Sequence, residues 1–477
     1  MSKTQQFEQQ TKSLIDDLKS VCANYGLGND GNEFKIITQV FLYKFLNDKF
    51  VHEIKQLDDT IANAESWEDA LKALSEDDRE MLMMQLSEST ARISPDHFIS
   101  SLFAKQNEPN FADTFDTTLT DIARDNSDIF SVLTDGGEKI VLFENLSKYV
   151  TDKRDEFCKA IVNKLTGFSF EHIFHEKFDF YATIFEYLIK DYNTNSGGKY
   201  AEYFTPHAVS KIMARCLVHG EVNNVTCYDP SAGSGSLLMN LAHEVGEDKC
   251  TIYSQDISQK SSGLLRLNLI LNDLVHSIHN VIKGNTILDP YHKETNGDLT
   301  KFDYIVSNPP FKLDFSDFSV DLDTKENHDR FFAGIPKVPA KKKESMAIYL
   351  MFLQHIIYSL KVDGKAAVVV PTGFITAQSG IDKKIRQKLV DEKAGLDSKK
   401  KVLLIGTGNS AALVAKCLNK KEFSYDVTSR TLERATGFST IVGGNPIEFD
   451  DALSTFDKYN IIFVATTSDY FLITFER

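Results

Sequence analysis

Apolar residues recur at three- and four-residue steps in EFKIITQVFLYKFLNDKF, where Phe34, Ile37, Phe41 and Phe45 fall on one face. That spacing builds the buried stripe of a helix. WEDALKALSEDDREMLMMQLSE and DFYATIFEYLIKDY read the same way, and no alternating strand pattern of any length is visible up to about residue 190. The polar run Asn193-Thr194-Asn195-Ser196-Gly197-Gly198 then ends the helical text, because such clusters are turn and linker chemistry. Beyond it the pattern changes to short apolar runs, VTCYDP, CTIYSQD, FDYIVSNPP and KAAVVVPTG, separated by helical segments such as SLLMNLAHEV and SMAIYLMFLQHIIYSL. Alternation of strand and helix predicts an α/β fold: a parallel sheet with helices on both faces and ligands at the strands' C-terminal ends. From about Lys399 the unit restarts, with strand, glycine turn and helix in SKKKVLLIGTGNSAALVAKCL and further strands in FSYDVTSR and YNIIFVATTS. The expected organisation is a helical domain over 1–165, a doubly wound domain over 166–392 and a partial dinucleotide-binding-like segment over 393–477.

Composition narrows the class. A chain of 477 residues exceeds one ordinary core, so two or three domains are expected. Its 53 Lys+Arg face 68 Asp+Glu, and a net charge of -15 counts against a chain that grips nucleic acid unaided. A local basic groove or a basic partner subunit is the alternative that this balance leaves open. The opening MSKTQQFEQQTKSLIDDLKS has no apolar signal-peptide core, and nothing later approaches the roughly 18 uninterrupted apolar residues of a membrane span, so the expected location is the cytoplasm. Six cysteines without a CxxC pair indicate reduced thiols, with neither a zinc site nor a disulfide framework.

Three strand ends carry candidate chemistry. Tyr228-Asp229-Pro230-Ser231-Ala232-Gly233-Ser234-Gly235 follows the first strand of the doubly wound part, and its small residues allow a sharp turn into a helix whose first N–H groups are free. The next strand ends at Asp256, a little over 20 residues on, the place of an acid that accepts from ribose hydroxyls. In FDYIVSNPPF the double proline ends the strand and stiffens the backbone beyond it. There an amide oxygen of Asn308 and a neighbouring carbonyl can accept both hydrogens of an exocyclic amino group, while Phe311 stacks on the base that carries it. Each pattern alone also has a bland reading, as packing turn, solvated acid and strand terminator respectively. Lys341-Lys342-Lys343 reads first as a solvated charge run, with phosphate contact as the sharper alternative. His355 reads as a packed helix residue.

In their order along the chain, Glu202-Tyr203-Phe204-Thr205-Pro206, DPSAGSGSLL, SQD, GNTILDP and SNPPF resemble the motifs of N6-adenine DNA methyltransferases, and more narrowly the modification subunit of type I restriction–modification systems. The resemblance covers about residues 1 to 392. It implies a helical N-terminal domain followed by a Rossmann-like S-adenosylmethionine-dependent methyltransferase domain whose final strands are missing. It places Glu202, Tyr203, Phe204, Thr205, Pro206 and His207, with Asp229, Ser231, Gly233, Ser234 and Gly235, around the cofactor S-adenosylmethionine, Asp256 on its ribose and Asn285 by its adenine ring. Asn308, Pro309, Pro310 and Phe311 would take the target adenine, flipped out of double-stranded DNA. The family more often has Glu at position 256 and Asp at 285, and both residues present here still accept hydrogen bonds. The implied partners are a specificity subunit, a restriction subunit and a second methylation subunit; no metal and no membrane are implied.

The C-terminal stretch resembles instead part of the NADP-binding domain of glutamyl-tRNA reductase, through Gly406-Thr407-Gly408-Asn409-Ser410-Ala411, Ser429-Arg430-Thr431 and Ala465-Thr466-Thr467, with Arg430 suited to a 2'-phosphate. The sequence reads there as a junction that replaces the usual end of the methyltransferase. Two further functional readings arise from it: a cofactor-binding assembly subunit with impaired catalysis, and an NADP-dependent reductase.

Overall fold

A computed structural model of the chain describes residues 3–28, 31–174, 207–371, 380–391, 402–420, 423–455 and 461–464, together with positions 187, 205, 373, 374, 377, 458 and 459. Two compact units emerge, one of Met1–His207 with Ala232–Asn285 and one of Ala208–Ser231 with Thr286–Arg477. The fold is mixed α/β, helical at its N-terminus and with mainly parallel strands. Among the described residues no helix is long and apolar enough to cross a membrane, and no cluster of His, Cys, Asp or Glu could hold a metal ion.

In the first unit the predicted stripe lies within the helix Gly31–Leu57, where Phe34, Ile37, Phe41 and Phe45 are all buried. Phe41 and Phe45 meet Phe170 edge-on, with ring centroids 5.2 and 5.4 Å apart. A carboxylate inside this core is met by several donors, as burial requires. Asp48 accepts from Lys44 Nζ at 2.9 Å, Asn47 Nδ2 at 3.1 Å and the Phe170 N–H at 2.9 Å.

The helical text also hides two strands, β1 (Val132–Thr134) and β2 (Lys139–Ile140). Three and two residues are too few to show alternation, and β1 takes its parallel partner from a segment remote in sequence. β1 runs antiparallel to β2 and parallel to β5 (Val281–Lys283), which itself runs parallel to β4 (Cys250–Asp256). Arg266, buried in the helix Gln259–Leu271, holds the hairpin by donating to the carbonyls of Ile140 at 2.9 Å and Val141 at 3.0 Å. Burial lowers its pKa to about 10, which still leaves a cation at neutral pH.

In the second unit β6 (Phe302–Ser307) pairs in parallel with β3 (Val225–Asp229) and with β7 (Leu360–Val368). Asp303 bolts the three strands together at one end. Its Oδ2 accepts from Thr226 N at 2.9 Å, Thr226 Oγ1 at 2.8 Å and Lys361 Nζ at 2.7 Å. The same unit contains a separate four-stranded parallel sheet in the order β10 (Asn445–Pro446), β9 (Tyr425–Thr428), β8 (Val402–Ile405), β11 (Ile461–Val464). Val402, Leu404, Val414, Tyr425, Val427 and Phe438 give it a core of its own.

Burial raises the Asp303 carboxyl, but the hydrogen bonds from Lys361 and Thr226 outweigh it and leave the group below its ordinary value. A depressed folded-state pKa contributes stability above the unfolded value of about 4, lost as pH falls through the folded value. Asp303→Ala is therefore expected to cost about 1–3 kcal/mol at pH 7 in urea unfolding, with the gap to the parent chain narrowing below pH of about 4. A gap that stays constant down to about pH 2 would show that the ionised carboxylate is not the source.

Candidate functional site

The glycine turn of the first unit is shaped by conformation and by close approach. Gly233 and Gly235 have φ of 53° and 86°, the left-handed region that a side chain disfavours. A Cβ on Gly235 would lie 2.3 Å from Leu265 Cδ1, so the turn also presses directly on the helix Gln259–Leu271. Gly235 caps the helix Ser236–Val245 without a side-chain bond, and the N–H groups of its first turn point out of the helix end.

Asp256, at the end of β4, is half-buried and already has work to do. Its Oδ2 accepts from the Gly233 N–H at 2.9 Å and its Oδ1 from the Ser258 N–H at 2.8 Å. Burial raises its pKa, and the Ser258 and Gly233 N–H groups oppose that rise without cancelling it. Each carboxylate oxygen has a second lone pair, so a bidentate pair of hydroxyls can still be accepted. The acid that the sequence assigns to a ribose is thus also the residue that sets the glycine turn. A second support is Asn268, whose Nδ2 donates to the Ser234 carbonyl at 2.8 Å from inside the same unit. The signal for it was legible: one amide in the middle of the apolar run LLRLNLIL.

At the C-terminal edge of this unit's strands, the Gly284 N–H donates to the Asp256 carbonyl and the Asp135 N–H to the Lys283 carbonyl, both at 2.9 Å. Asn285 comes next, half-buried. A Cβ on Gly284 would lie 2.5 Å from Asp135 Oδ2, which explains glycine at the head of GNTILDP.

In the second unit β3 ends at Asp229, 1% exposed, whose Oδ1 accepts from the Ser231 N–H at 2.9 Å and closes a tight turn. Ser231 Oγ and Ser307 Oγ are 2.7 Å apart, which ties the ends of β3 and β6. The Ser307 carbonyl accepts from the Val369 N–H at 2.9 Å, the last ladder bond before the prolines. Asn308 is then half-buried, Pro309 buried and Pro310 exposed. Phe311 is 37% exposed and meets Tyr349 edge-on at 6.4 Å, and Tyr349 Oη donates to Asp382 Oδ1 at 2.7 Å. Lys341, Lys342 and Lys343 lie on an exposed loop, and His355 is buried. Thr205 is buried and His207 opens the helix His207–Leu217; Glu202, Tyr203, Phe204 and Pro206 lie outside the described residues.

In the C-terminal sheet Gly406 has a φ of 117° and its N–H donates to the Thr428 carbonyl at 2.8 Å. The helix Asn409–Lys420 follows the turn. Arg430 and Arg434 border a recess with Thr431 and Glu433. Ala465, Thr466 and Thr467 lie outside the described residues.

Comparison with known proteins matches both resemblances. Residues 176–395 match the N-6 DNA methylase family, and residues 388–477 match the shikimate/quinate 5-dehydrogenase family. The chain is similar to the methylase subunit of the type I restriction enzyme MpnII of Mycoplasma pneumoniae, 28% identical over 247 residues that cover 50% of this chain and 44% of that protein. Its end is similar to glutamyl-tRNA reductase of Cenarchaeum symbiosum, 42% identical over 90 residues that cover 19% of this chain and 22% of the relative. The chain thus spans less than half the length of either relative. Among solved structures, the methyltransferase subunit of a type I restriction–modification system from Streptococcus thermophilus shares the fold, with a TM-score of 0.62, 22% identity and coverage of 84% of this chain and 81% of that one.

One substitution made at two glycines separates the constrained turn from ordinary helix. Gly235→Ala is expected to destabilise by at least about 1–3 kcal/mol, since it adds left-handed strain and a clash with Leu265. Gly263→Ala, inside the helix Gln259–Leu271 with open space around the new methyl, is expected to stabilise by about 0.5–1 kcal/mol. Chemical denaturation of both variants checks the pair of signs, and equal signs would remove the steric account of Gly235.

Proposed function

We propose that the chain is the methylation subunit of a type I restriction–modification complex, which transfers a methyl group from S-adenosylmethionine to N6 of an adenine flipped out of double-stranded DNA. The observation that carries the reading is the segment Asn308-Pro309-Pro310-Phe311 placed directly after the last ladder bond of β6. Prolines have no N–H, so the backbone at 309 and 310 offers acceptors alone. An amino group has two hydrogens to give, and the Asn308 amide oxygen with a neighbouring carbonyl can receive both. The Ser307 carbonyl already accepts from the Val369 N–H, and the prolyl carbonyls beyond it offer a further acceptor beside the Asn308 amide oxygen. Held by two ring-locked residues, these acceptors need little reorganisation as the amino nitrogen gains positive charge, and that preorganisation is what lowers a barrier. Phe311 is exposed and braced on Tyr349, a ring against which a purine can stack.

The residues of the first unit suit the cofactor. Asp256 retains acceptor capacity for a ribose diol, the N-terminal end of the helix Ser236–Val245 suits a carboxylate, and Asn285 offers both donor and acceptor to an adenine ring. S-adenosylmethionine would supply an electrophilic methyl carbon on sulfur. Asp229, Ser231 and Ser234 would contribute the remaining polar contacts, with Glu202 to His207 covering the cofactor. With a net charge of -15, the chain needs a partner to bind DNA and choose a sequence, as a specificity subunit would do. A restriction subunit and a second methylation subunit complete the proposed assembly, which belongs in the cytoplasm.

Asn308→Ala is expected to bind S-adenosylmethionine within about two-fold of the parent chain while methylation with a specificity subunit falls about 10²–10³-fold. Mass spectrometry of the DNA product should show N6-methyladenine. Undiminished methylation by the variant, or methylcytosine as the sole product, would overturn the assignment. Cofactor binding without turnover in the assembled complex would establish the assembly-subunit reading instead.

A further inference from the structure

Arg330 is 3% exposed and lies in the long segment that comes after Phe311. Among the described ion pairs it has none, and its guanidinium is instead spread over three partners. Nε donates to His355 Nδ1 at 3.1 Å, one terminal nitrogen to the Ile287 carbonyl at 2.9 Å and the other to the Thr286 carbonyl at 2.6 Å. The planar fork can serve all three at once, which a lysine ammonium could not match in that geometry. Thr286 Oγ1 in turn donates to the Pro230 carbonyl at 2.7 Å. Pro230 stands between Asp229 and Ser231, in the middle of the turn that closes β3.

His355 is the other half of the device. Because Arg330 Nε–H donates to Nδ1, the ring proton sits on Nε2, which faces Tyr228 Oη at 3.2 Å. Burial, reinforced by the charges of Arg330 and Lys301, drives its pKa well below the ordinary value and keeps the ring neutral. Arg330, lowered by burial to about 10, stays charged. Tyr228 stacks on Phe302 at 4.3 Å, which fixes the far end of the chain of contacts in the strands β3 and β6 themselves. Every member of this network belongs to the second unit.

We infer that Arg330, His355 and Thr286 form a positioning clamp that holds the Pro230 carbonyl and thereby sets the Asp229–Ser231 turn for the cofactor. The inference rests on the proposed S-adenosylmethionine site, which itself makes no use of these three residues. The clamp reaches from the loop beyond the base-binding segment to the turn assigned to the cofactor. Loss of one link therefore changes cofactor affinity without touching a residue that contacts the cofactor.

Thr286→Val removes the hydroxyl at nearly constant volume and leaves Arg330 its backbone partner. Two measurements on the full chain test the clamp. Amide hydrogen exchange at Ser231, whose N–H is held by Asp229 Oδ1, is expected to speed up about ten-fold or more, while the melting temperature shifts by only a few degrees. Titration calorimetry with S-adenosylmethionine is expected to give a Kd raised about ten-fold, the scale of leaving one buried carbonyl without its donor. Arg330→Lys should behave alike, and the double variant should be no worse than Arg330→Lys alone, since both changes break one chain. Unchanged Ser231 exchange in Thr286→Val, or losses that simply multiply in the double variant, would overturn the clamp. A parent chain that binds no S-adenosylmethionine would overturn the cofactor reading, and the exchange measurement would still decide whether the clamp exists.

Discussion

The charge on Asp256 is the constraint that governs the rest of the first unit's site. A half-buried carboxylate is costly unless backbone donors meet it, and here they come from Ser258 on one side and Gly233 on the other. Accepting from Gly233 dictates the path of the turn, and that path demands positive φ at Gly233 and Gly235. It also brings Gly235 against Leu265, where no side chain fits. One acid therefore explains both the glycines and the helix that packs behind them. Its remaining lone pairs are what is left over for a ligand.

The second unit solves a related problem with hydroxyls and with a buried cation. Ser231 and Ser307 join the ends of β3 and β6, so the turn after one strand and the prolyl segment after the other share a fixed point. Arg330 then fastens the Thr286–Ile287 turn, using carbonyls and a neutral imidazole where a carboxylate would be the usual partner. A buried cation held mainly by fixed dipoles tolerates little displacement of those dipoles, so it favours one arrangement of the loops that carry them. Stiff acceptors are what chemistry on an amino group requires. The C-terminal sheet stands apart from this economy, with its own apolar core and its own glycine turn. The two family matches meet at residues 388–395, where the methyltransferase pattern gives way to the dehydrogenase-like one.

Particular residues show how far local pattern reaches. The stripe of Phe34, Ile37, Phe41 and Phe45 was legible because helical period alone places those side chains inside. The strands β3, β4 and β6 were legible as apolar runs closed by turn residues, and their ends carried Asp229, Asp256 and Asn308; β7 overlaps the expected run KAAVVVPTG only over the first four residues of that run, since the strand starts at Leu360 and ends at Val368. In contrast, β1, β2, β5 and β10 have two or three residues each, too few to show a period, and β1 and β5 find each other only across a long stretch of sequence. Arg266 and Arg330 gave no sign of burial, because an arginine reads as a surface residue until the carbonyls that satisfy it are known.

The sequence by itself determined the α/β class, the helical start, the order of the motifs and the chemical types offered at each strand end. These depend on periodicity, on turn chemistry and on the donors and acceptors each side chain carries, all of them local properties. Tertiary structure alone decided that Asp256 shapes the glycine turn, that Ser307 is bonded to Ser231, and that Arg330 reaches Thr286, Ile287 and His355. Those are hydrogen bonds between groups some 20 to 75 residues apart, and no local rule selects one distant carbonyl among many; only the packed chain brings the right pair within 3 Å or so.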